Sequence, residues 1–297
     1  MRKSKRWLLG LMLFFSMLIA TIPVTTTLNL TPVEGRGPVI SEVFEGVPTA
    51  TDYDVAHQAK KGQPQHWAII IGISDYKAIG DLRFCDEDAN DWYNYLSSIG
   101  YEHIIVLGDH TSDYLQYDGL ATEWNVKQTL LDVVTSAGER DTIALLSSGH
   151  GSGDSHGTSL LCMWDLGMGE NGEDGRLWDY ELAPILELAV AANIFVFLDH
   201  CLSGGFGDDL LAMSNAENVY LTTTCDEHGM GWDEPLYNNG LWTYFFLEYT
   251  LIDAFSSDPD TEMEAAFLHA EAAYPYERGA MHPQQYDGDP DSPFFLW

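Results

Sequence analysis

The sequence predicts an α/β fold in which a central, mostly parallel sheet of about six strands carries helices on both faces. Three observations predict it. Apolar runs of strand length alternate along the chain with segments whose apolar residues recur at helical spacing, the pattern of strand–helix–strand crossovers. Those runs are continuously apolar, as strands buried on both faces require. Apolar residues make up 45% of the 297, enough for one large core, and no internal repeat divides it.

Residues 66–73 form the first apolar run and predict strand one. Ala89, Trp92, Tyr93, Leu96 and Ile99 recur at helical spacing over residues 86–99, and Gly100 ends that helix. A strand over 104–107 follows, then a helix over 122–137 through Val126, Leu130, Val133 and Val134. Residues 142–147 and 159–163 predict strands three and four. A helix over 179–191 leads into strand five (194–198), and residues 219–224 predict strand six. Two helices, over 241–252 and 261–273, complete the set. Strands linked this way need right-handed crossovers, which sets the sheet parallel.

The charge is far from balanced: 13 Lys and Arg face 46 Asp and Glu, a net −33. Such a surface repels phosphate backbones and excludes nucleic acid as a partner; it suits cationic substrates, divalent cations or a saline habitat. Four of the cations (Arg2, Lys3, Lys5, Arg6) precede an apolar run over 7–22 and Pro23. That is the shape of an export signal, so residues 1–23 are read as a signal peptide or N-terminal anchor and the protein as exported, extracellular or at the cell surface. An uncleaved segment is the sole membrane link expected. Residues 24–64, rich in Gly, Pro and charge and ending near Lys60-Lys61, read as a propeptide or linker, and 65–297 as one domain. Four cysteines are too few for a disulfide scaffold; Cys162 and Cys225 lie inside apolar runs and read as buried small hydrophobes.

Two strings carry the chemistry. Ser148-Gly149-His150-Gly151 follows strand three, and Asp199-His200-Cys201-Leu202-Ser203-Gly204-Gly205 follows strand five. In an open parallel sheet, ligands bind outside the carboxyl ends of the strands. A thiol is a strong nucleophile only as thiolate, and a histidine beside it can take its proton. Cys201 as nucleophile, His150 as base, and the amides of Gly151 and Cys201 as donors to an oxyanion make a complete set for acyl transfer. No compact zinc spacing links His150, His156, His200 and Cys201.

From residue 67 onward the chain resembles the caspase-like cysteine peptidases (caspases, metacaspases, legumains, clostripain and gingipains). Ser-Gly-His-Gly at 148–151 and Asp-x-Cys-x-Ser-Gly at 199–204 carry the resemblance, in that order. It implies a caspase-like three-layer sandwich and a His150–Cys201 dyad with no obligatory third side chain. The nearest motif match is to metacaspases, whose Cys-x-Asn-Asp-Ala pattern is matched by Cys85-Asp86-Glu87-Asp88-Ala89, with Glu87 in place of Asn. The resemblance makes Cys85, Asp88, Ser148 and Asp199 the specificity pocket, and acids at its base imply Arg or Lys on the substrate. It further implies activating calcium at Asp165, Asp208 and Asp209, with Asp174 as a further candidate. A pocket that prefers basic residues makes Lys60-Lys61, and Arg176 in the loop 172–177, candidate self-cleavage points of a zymogen. Two other readings are weighed: an asparaginyl, legumain-like peptidase or transpeptidase, against which Asp199 stands where legumains carry Glu, and an inactive caspase-like binding module, against which the intact His150 and Cys201 stand.

Overall fold

A computed structural model describes residues 63–154, 157–276, 279 and 281–297. The leader (1–23), the linker apart from residues 63 and 64, Lys60-Lys61 and His156 lie outside the described residues. The chain enters through β1 (His66–Gly72), crosses in α1 (Cys85–Ile99) to β2 (His103–Gly108) and the two-residue β3 (Gly119–Leu120), and returns by α2 (Glu123–Ser136) to β4 (Thr142–Ser148). A small sheet of β5 (Gly151–Gly153), β6 (Ser159–Cys162) and β7 (Arg176–Trp178) follows. Then come α3 (Asp179–Leu186), β8 (Asn193–Asp199), α4 (Phe206–Leu211) and β9 (Val219–Thr223). β10 (Asp233–Glu234) and β11 (Asn239–Gly240) make a two-stranded ribbon. α5 (Leu241–Thr243) runs on as a π-type helix over Tyr244–Ala254, and α6 (Met263–Ala273) and β12 (Gln284–Asp287) close the fold.

The main sheet has seven strands in the order β12-β9-β8-β4-β1-β2-β3. All its pairs are parallel except β12 with β9. Side chains of a strand point alternately to its two faces, and here both faces are covered. Trp67, Ile69 and Ile71 of β1, Ile143 and Leu145 of β4, and Ile194, Val196 and Leu198 of β8 pack with Val126 and Leu130 of α2, Leu182 and Leu186 of α3 and Phe206 of α4. The residues between them, Ala68 and Ile70, Ala144 and Leu146, and Phe195 and Phe197, pack with Trp92 and Leu96 of α1, Phe246, and Phe267 of α6. The result is a three-layer α/β sandwich.

The helices begin where local chemistry lets them. Thr122 caps α2 by accepting a 3.2 Å bond from the Asn125 amide. α1 has no such cap of its own; instead Ser74, beyond the end of β1, accepts from the amides of Cys85 and Asp86 (3.1 and 3.2 Å) and donates to Asp86 Oδ1 at 2.6 Å. α3 stops at Leu186 rather than running to 191, consistent with Pro184, which removes a backbone donor inside it.

Two expectations are corrected. Strand four (159–163) joins β5 and β7 in a separate antiparallel sheet, because the turn at 149–150 carries the chain out of the main sheet before it. The main sheet gains β3 and β12 instead, both too short or too polar to stand out as apolar runs. Among the described residues no helix is long and apolar enough to cross a membrane.

Trp92 is the keystone of the α1 face: it is 2% exposed and stands edge-on to Phe197, ring centres 4.9 Å apart. Trp92→Ala is expected to lower the unfolding free energy by about 3–5 kcal/mol, read from urea denaturation curves. A loss under about 1 kcal/mol would contradict this packing.

Candidate active site

Parallel pairing of β4 with β8 sets the geometry. Ser147 pairs with Leu198 and Ser148 with Asp199, so His150 and Cys201 each lie two residues beyond the last matched pair. Neighbouring strands are roughly 4.8 Å apart, and both residues emerge side by side over the sheet edge. They line one cleft with Leu82, Cys85, Ser148, Gly149, Asp199, His200, Gly231, Trp232, Asp233 and Gly240.

Backbone contacts lock the two turns together. A methyl group on Gly151 would overlap the Cys201 carbonyl oxygen, so only glycine lets the turn after His150 pack on the backbone of Cys201. Leu202 is held in the left-handed region at φ 59°, a conformation that costs a side-chain-bearing residue about 1–2 kcal/mol. Three bonds hold it there: its amide donates to Gly229 O (3.0 Å), and its carbonyl accepts from Ser159 Oγ (2.7 Å) and the Gly205 amide (3.3 Å).

The His150 imidazole donates from Nε2 to the Gly80 carbonyl at 2.8 Å. A carbonyl only accepts, so this contact places the proton on Nε2 and leaves the Nδ1 lone pair available. The main chain of His150 is held on both sides. Its amide donates to Tyr76 Oη (2.7 Å), and its carbonyl accepts from the Cys162 amide (2.9 Å) and from His200 Nδ1 (3.0 Å). His200 in turn accepts from Ser147 Oγ at 2.8 Å. Burial, with the neighbouring His150, pushes its pKa down to about 4, so it stays a neutral strut. The Cys201 thiol sits 3.9 Å from the Gly231 carbonyl, and burial, with the Asp199 charge, pushes its pKa above the ordinary thiol value. The thiol is therefore protonated at rest and needs a base.

The predicted pocket residues split into two layers. Cys85, Ser148 and Asp199 line the cleft; Asp88 does not, being fully buried and reaching it only through Ser148, whose hydroxyl donates to Asp88 Oδ2, and through the Gly240 amide, which donates to Oδ1 at 2.8 Å. Asp199 Oδ2 accepts from the Thr243 amide and hydroxyl at 2.9 and 3.1 Å. The Asp88 and Asp199 carboxylates converge on Gly240, where a methyl group would strike both. Burial raises Asp199 to about 6 and, with the Asp199 charge, raises Asp88 well above the usual carboxylate range. Sequence reasoning missed Asp233, which also lines the cleft: Oδ2 accepts from the Arg83 amide at 2.8 Å, while the buried Oδ1 has no partner. Gly231 and Trp232, 37% exposed, were missed as well. Gly231 and Trp232 precede the two-residue strand β10, which Asp233 opens; the segment has no periodicity, and only the strand-end motifs signalled the cleft.

The carboxylates assigned to calcium are not gathered. Asp165 Oδ1 accepts from the Glu123 amide at 3.1 Å, whereas Asp208 and Asp209 lie on α4. Among the described residues the one carboxylate group with metal-ligand spacing is Glu123, Glu173 and Glu181, which contains none of the three. Asp174 pairs with Arg176. The residues present therefore do not fit the calcium site that the resemblance implies. Arg176 is not in an open loop either: it opens β7, paired with Cys162, and Leu177 behind it is fully buried, because the antiparallel ladder extends one residue further than the turn signals suggest.

Sheet, crossovers and the paired strand-end turns define a caspase-like fold. Residues 66–209, just under half of the chain, match the family model of the metacaspase, peptidase C14 domain, so this stretch is similar to the peptidase domain of that family. Metacaspase-1 of Kluyveromyces lactis is 29% identical over 106 residues, 35% of this chain and 24% of the relative. Metacaspase-1 of Eremothecium gossypii is 27% identical over 148 residues, 46% of this chain and 31% of the relative. The matched stretches thus span about a quarter to a third of those relatives. The crystal structure of protein GSU0716 from Geobacter sulfurreducens shares the fold, with a TM-score of 0.55 at 17% identity, over 75% of this chain and 93% of that one.

The buried acid pair makes a stability prediction. Asp199 titrates near 6 in the folded chain against roughly 3.9 when unfolded. The stabilisation its neutral form contributes is complete below pH ~4 and lost as pH rises through about 6, a difference on the order of 2–3 kcal/mol. Asp199→Asn, which still accepts from Thr243, is expected to be more stable than the wild type at pH 8 and no more stable at pH 4. Denaturation curves across that range with parallel profiles for the two proteins would contradict it.

Proposed function

We propose that the protein is an exported cysteine endopeptidase that cleaves after Arg or Lys with a His150–Cys201 dyad. One observation carries this reading: the in-register β4–β8 pair delivers an imidazole and a thiol to a cleft floored by buried carboxylates. Export rests on the N-terminal segment, basic, then apolar, then polar. Protein substrates follow from the peptidase family.

A cationic side chain enters beside Asp199 and Asp233, while Asp88 holds Ser148 and the Gly240 amide in place beneath them. An unpaired buried carboxylate is costly, and a guanidinium or ammonium relieves that cost. An Asp or Glu side chain on the substrate meets like charge and is rejected. His150 Nδ1 takes the Cys201 proton as the sulfur attacks the scissile carbonyl carbon. Nε2–H, held by the Gly80 carbonyl, keeps the ring oriented while it is an imidazolium. The Gly151 and Cys201 amides donate to the oxyanion. His150 then protonates the departing amine, leaving an acyl-thioester; water, deprotonated by His150, hydrolyses it and frees the thiol.

Reporter peptides ending in Arg, Lys, Asn or Asp before the dye test this. Cleavage after Arg and Lys alone is expected. Cys201→Ala is expected to lower the rate by on the order of 10⁴–10⁶, and Asp199→Asn to cost roughly 10²-fold or more in kcat/KM for the Arg peptide. KM for the Arg peptide is expected to rise as pH falls through about 6, where Asp199 loses its charge. Full activity in Cys201→Ala would end the dyad assignment, and preference for Asn or Asp would end the basic pocket. A third variant probes the close approach: Gly151→Ala, whose added methyl overlaps Cys201 O, is expected to abolish turnover while Arg-aldehyde binding weakens less than kcat.

A further inference from the structure

Outside the residues that line the cleft, three carboxylates come together although the chain holds few cations to neutralise them. Glu123 on α2, Glu173 in the segment between β6 and β7, and Glu181 on α3 place carboxylate oxygens within 4.8 Å of one another. Three converging oxygens of this kind are the donor set of a hard divalent cation. Here the centre is filled from within. Lys127 Nζ donates to Glu123 Oε1 at 2.5 Å, Glu173 Oε2 at 2.7 Å and Glu181 Oε1 at 2.9 Å. An ammonium has three donors, and all three are used. The lysine side chain is 11% exposed. Burial alone lowers its pKa, but the three carboxylates more than offset that and keep it charged.

The cage is joined to the sheet below it. The second oxygen of Glu123 accepts from the amides of Asp174, Gly175 and Arg176 at 3.0, 2.7 and 3.0 Å, and Glu181 Oε2 accepts from the Trp178 amide at 3.1 Å. Both contacts hold β7. β7 pairs with β6, where Arg176 lies opposite Cys162. The Cys162 amide holds the His150 carbonyl, and Ser159, at the other end of β6, holds Leu202.

We propose that Lys127 is a tethered cation standing where a divalent metal ion would otherwise sit, so that the Glu123–Glu173–Glu181 cage and the sheet it anchors are ordered without calcium or magnesium. Removing the ammonium leaves three like charges, and the cage then becomes a binding site for a hard divalent or lanthanide ion. This does not depend on the peptidase assignment.

The full chain, Lys127→Met and Lys127→Met/Glu173→Gln/Glu181→Gln are melted in chelator and in millimolar calcium, and titrated with terbium(III), whose luminescence neighbouring Trp178 sensitises. The wild type is expected to melt at the same temperature in both conditions. Lys127→Met is expected to melt several degrees lower in chelator, recover with calcium, and bind one more terbium than the wild type. The triple variant, which loses the surplus charge with the lysine, is expected to show no added response. A calcium shift of equal size in all three proteins is a general effect on so acidic a chain and is subtracted before their responses are compared. The proposal is overturned if the wild type is destabilised by chelator, or if folded Lys127→Met gains neither the calcium response nor the terbium site. Should Lys127→Met fail to fold even in calcium, the triple variant decides: folding without a calcium response attributes the failure to the uncompensated carboxylates and supports the proposal, whereas misfolding, or a calcium response, overturns it.

Discussion

Hydrogen bonding between β4 and β8 in matched register is the constraint on which the rest depends. A slip of one residue would turn Phe195 and Phe197 from the α1 face to the opposite one and exchange Val196 and Leu198 with them. Both faces are packed, so the register cannot slip cheaply, and the same constraint keeps Ser148 opposite Asp199. The turns that follow inherit that alignment. The core thus specifies the spacing of the cleft, and the backbone contact of Gly151 with Cys201 tightens it.

Electrostatics is arranged in three depths. The chain as a whole carries a net −33. Beneath the cleft, Asp88 and Asp199 are buried together with hydroxyl and amide donors, and among the described residues no Lys or Arg forms an ion pair with either. Beside α2, three carboxylates are neutralised in part by Lys127. The two acidic clusters therefore differ in kind: one is compensated by a lysine of the chain itself, the other is held by hydroxyl and amide donors. His200, neutral between Ser147 and the His150 carbonyl, adds rigidity next to the cleft without adding charge.

Much of this was legible in the sequence. Strands β1, β2, β4, β8 and β9 are continuous apolar runs, and period and composition single them out; the helices α1 and α2 announce themselves through apolar spacing, with Gly100 ending the first and Thr122 opening the second. His150 and Cys201 were legible because glycine-rich turns directly follow two of those runs. What lacked a signal was everything fixed by contacts distant in sequence. Ser74 caps a helix eleven residues on, Asp233 reaches the cleft from the short strand β10, 150 residues after Arg83, and Lys127 finds two of its three partners beyond residue 170. Asp165, Asp208 and Asp209 show a related point: acids at suggestive offsets are frequent in so acidic a chain, and among the described residues these three form no shared group with metal-ligand spacing.

The margins of the sheet carry one more consequence. On one side it ends in β3, two residues long; on the other it ends in β12, four residues running against the direction of its neighbour. An open strand is where a foreign chain adds itself to a sheet, and the longer the unpaired row of amides and carbonyls, the stronger the invitation. Among the described residues neither border offers more than a four-residue row, so strand-by-strand stacking of molecules finds little to grip, and the apolar sheet interior stays sealed from lateral growth.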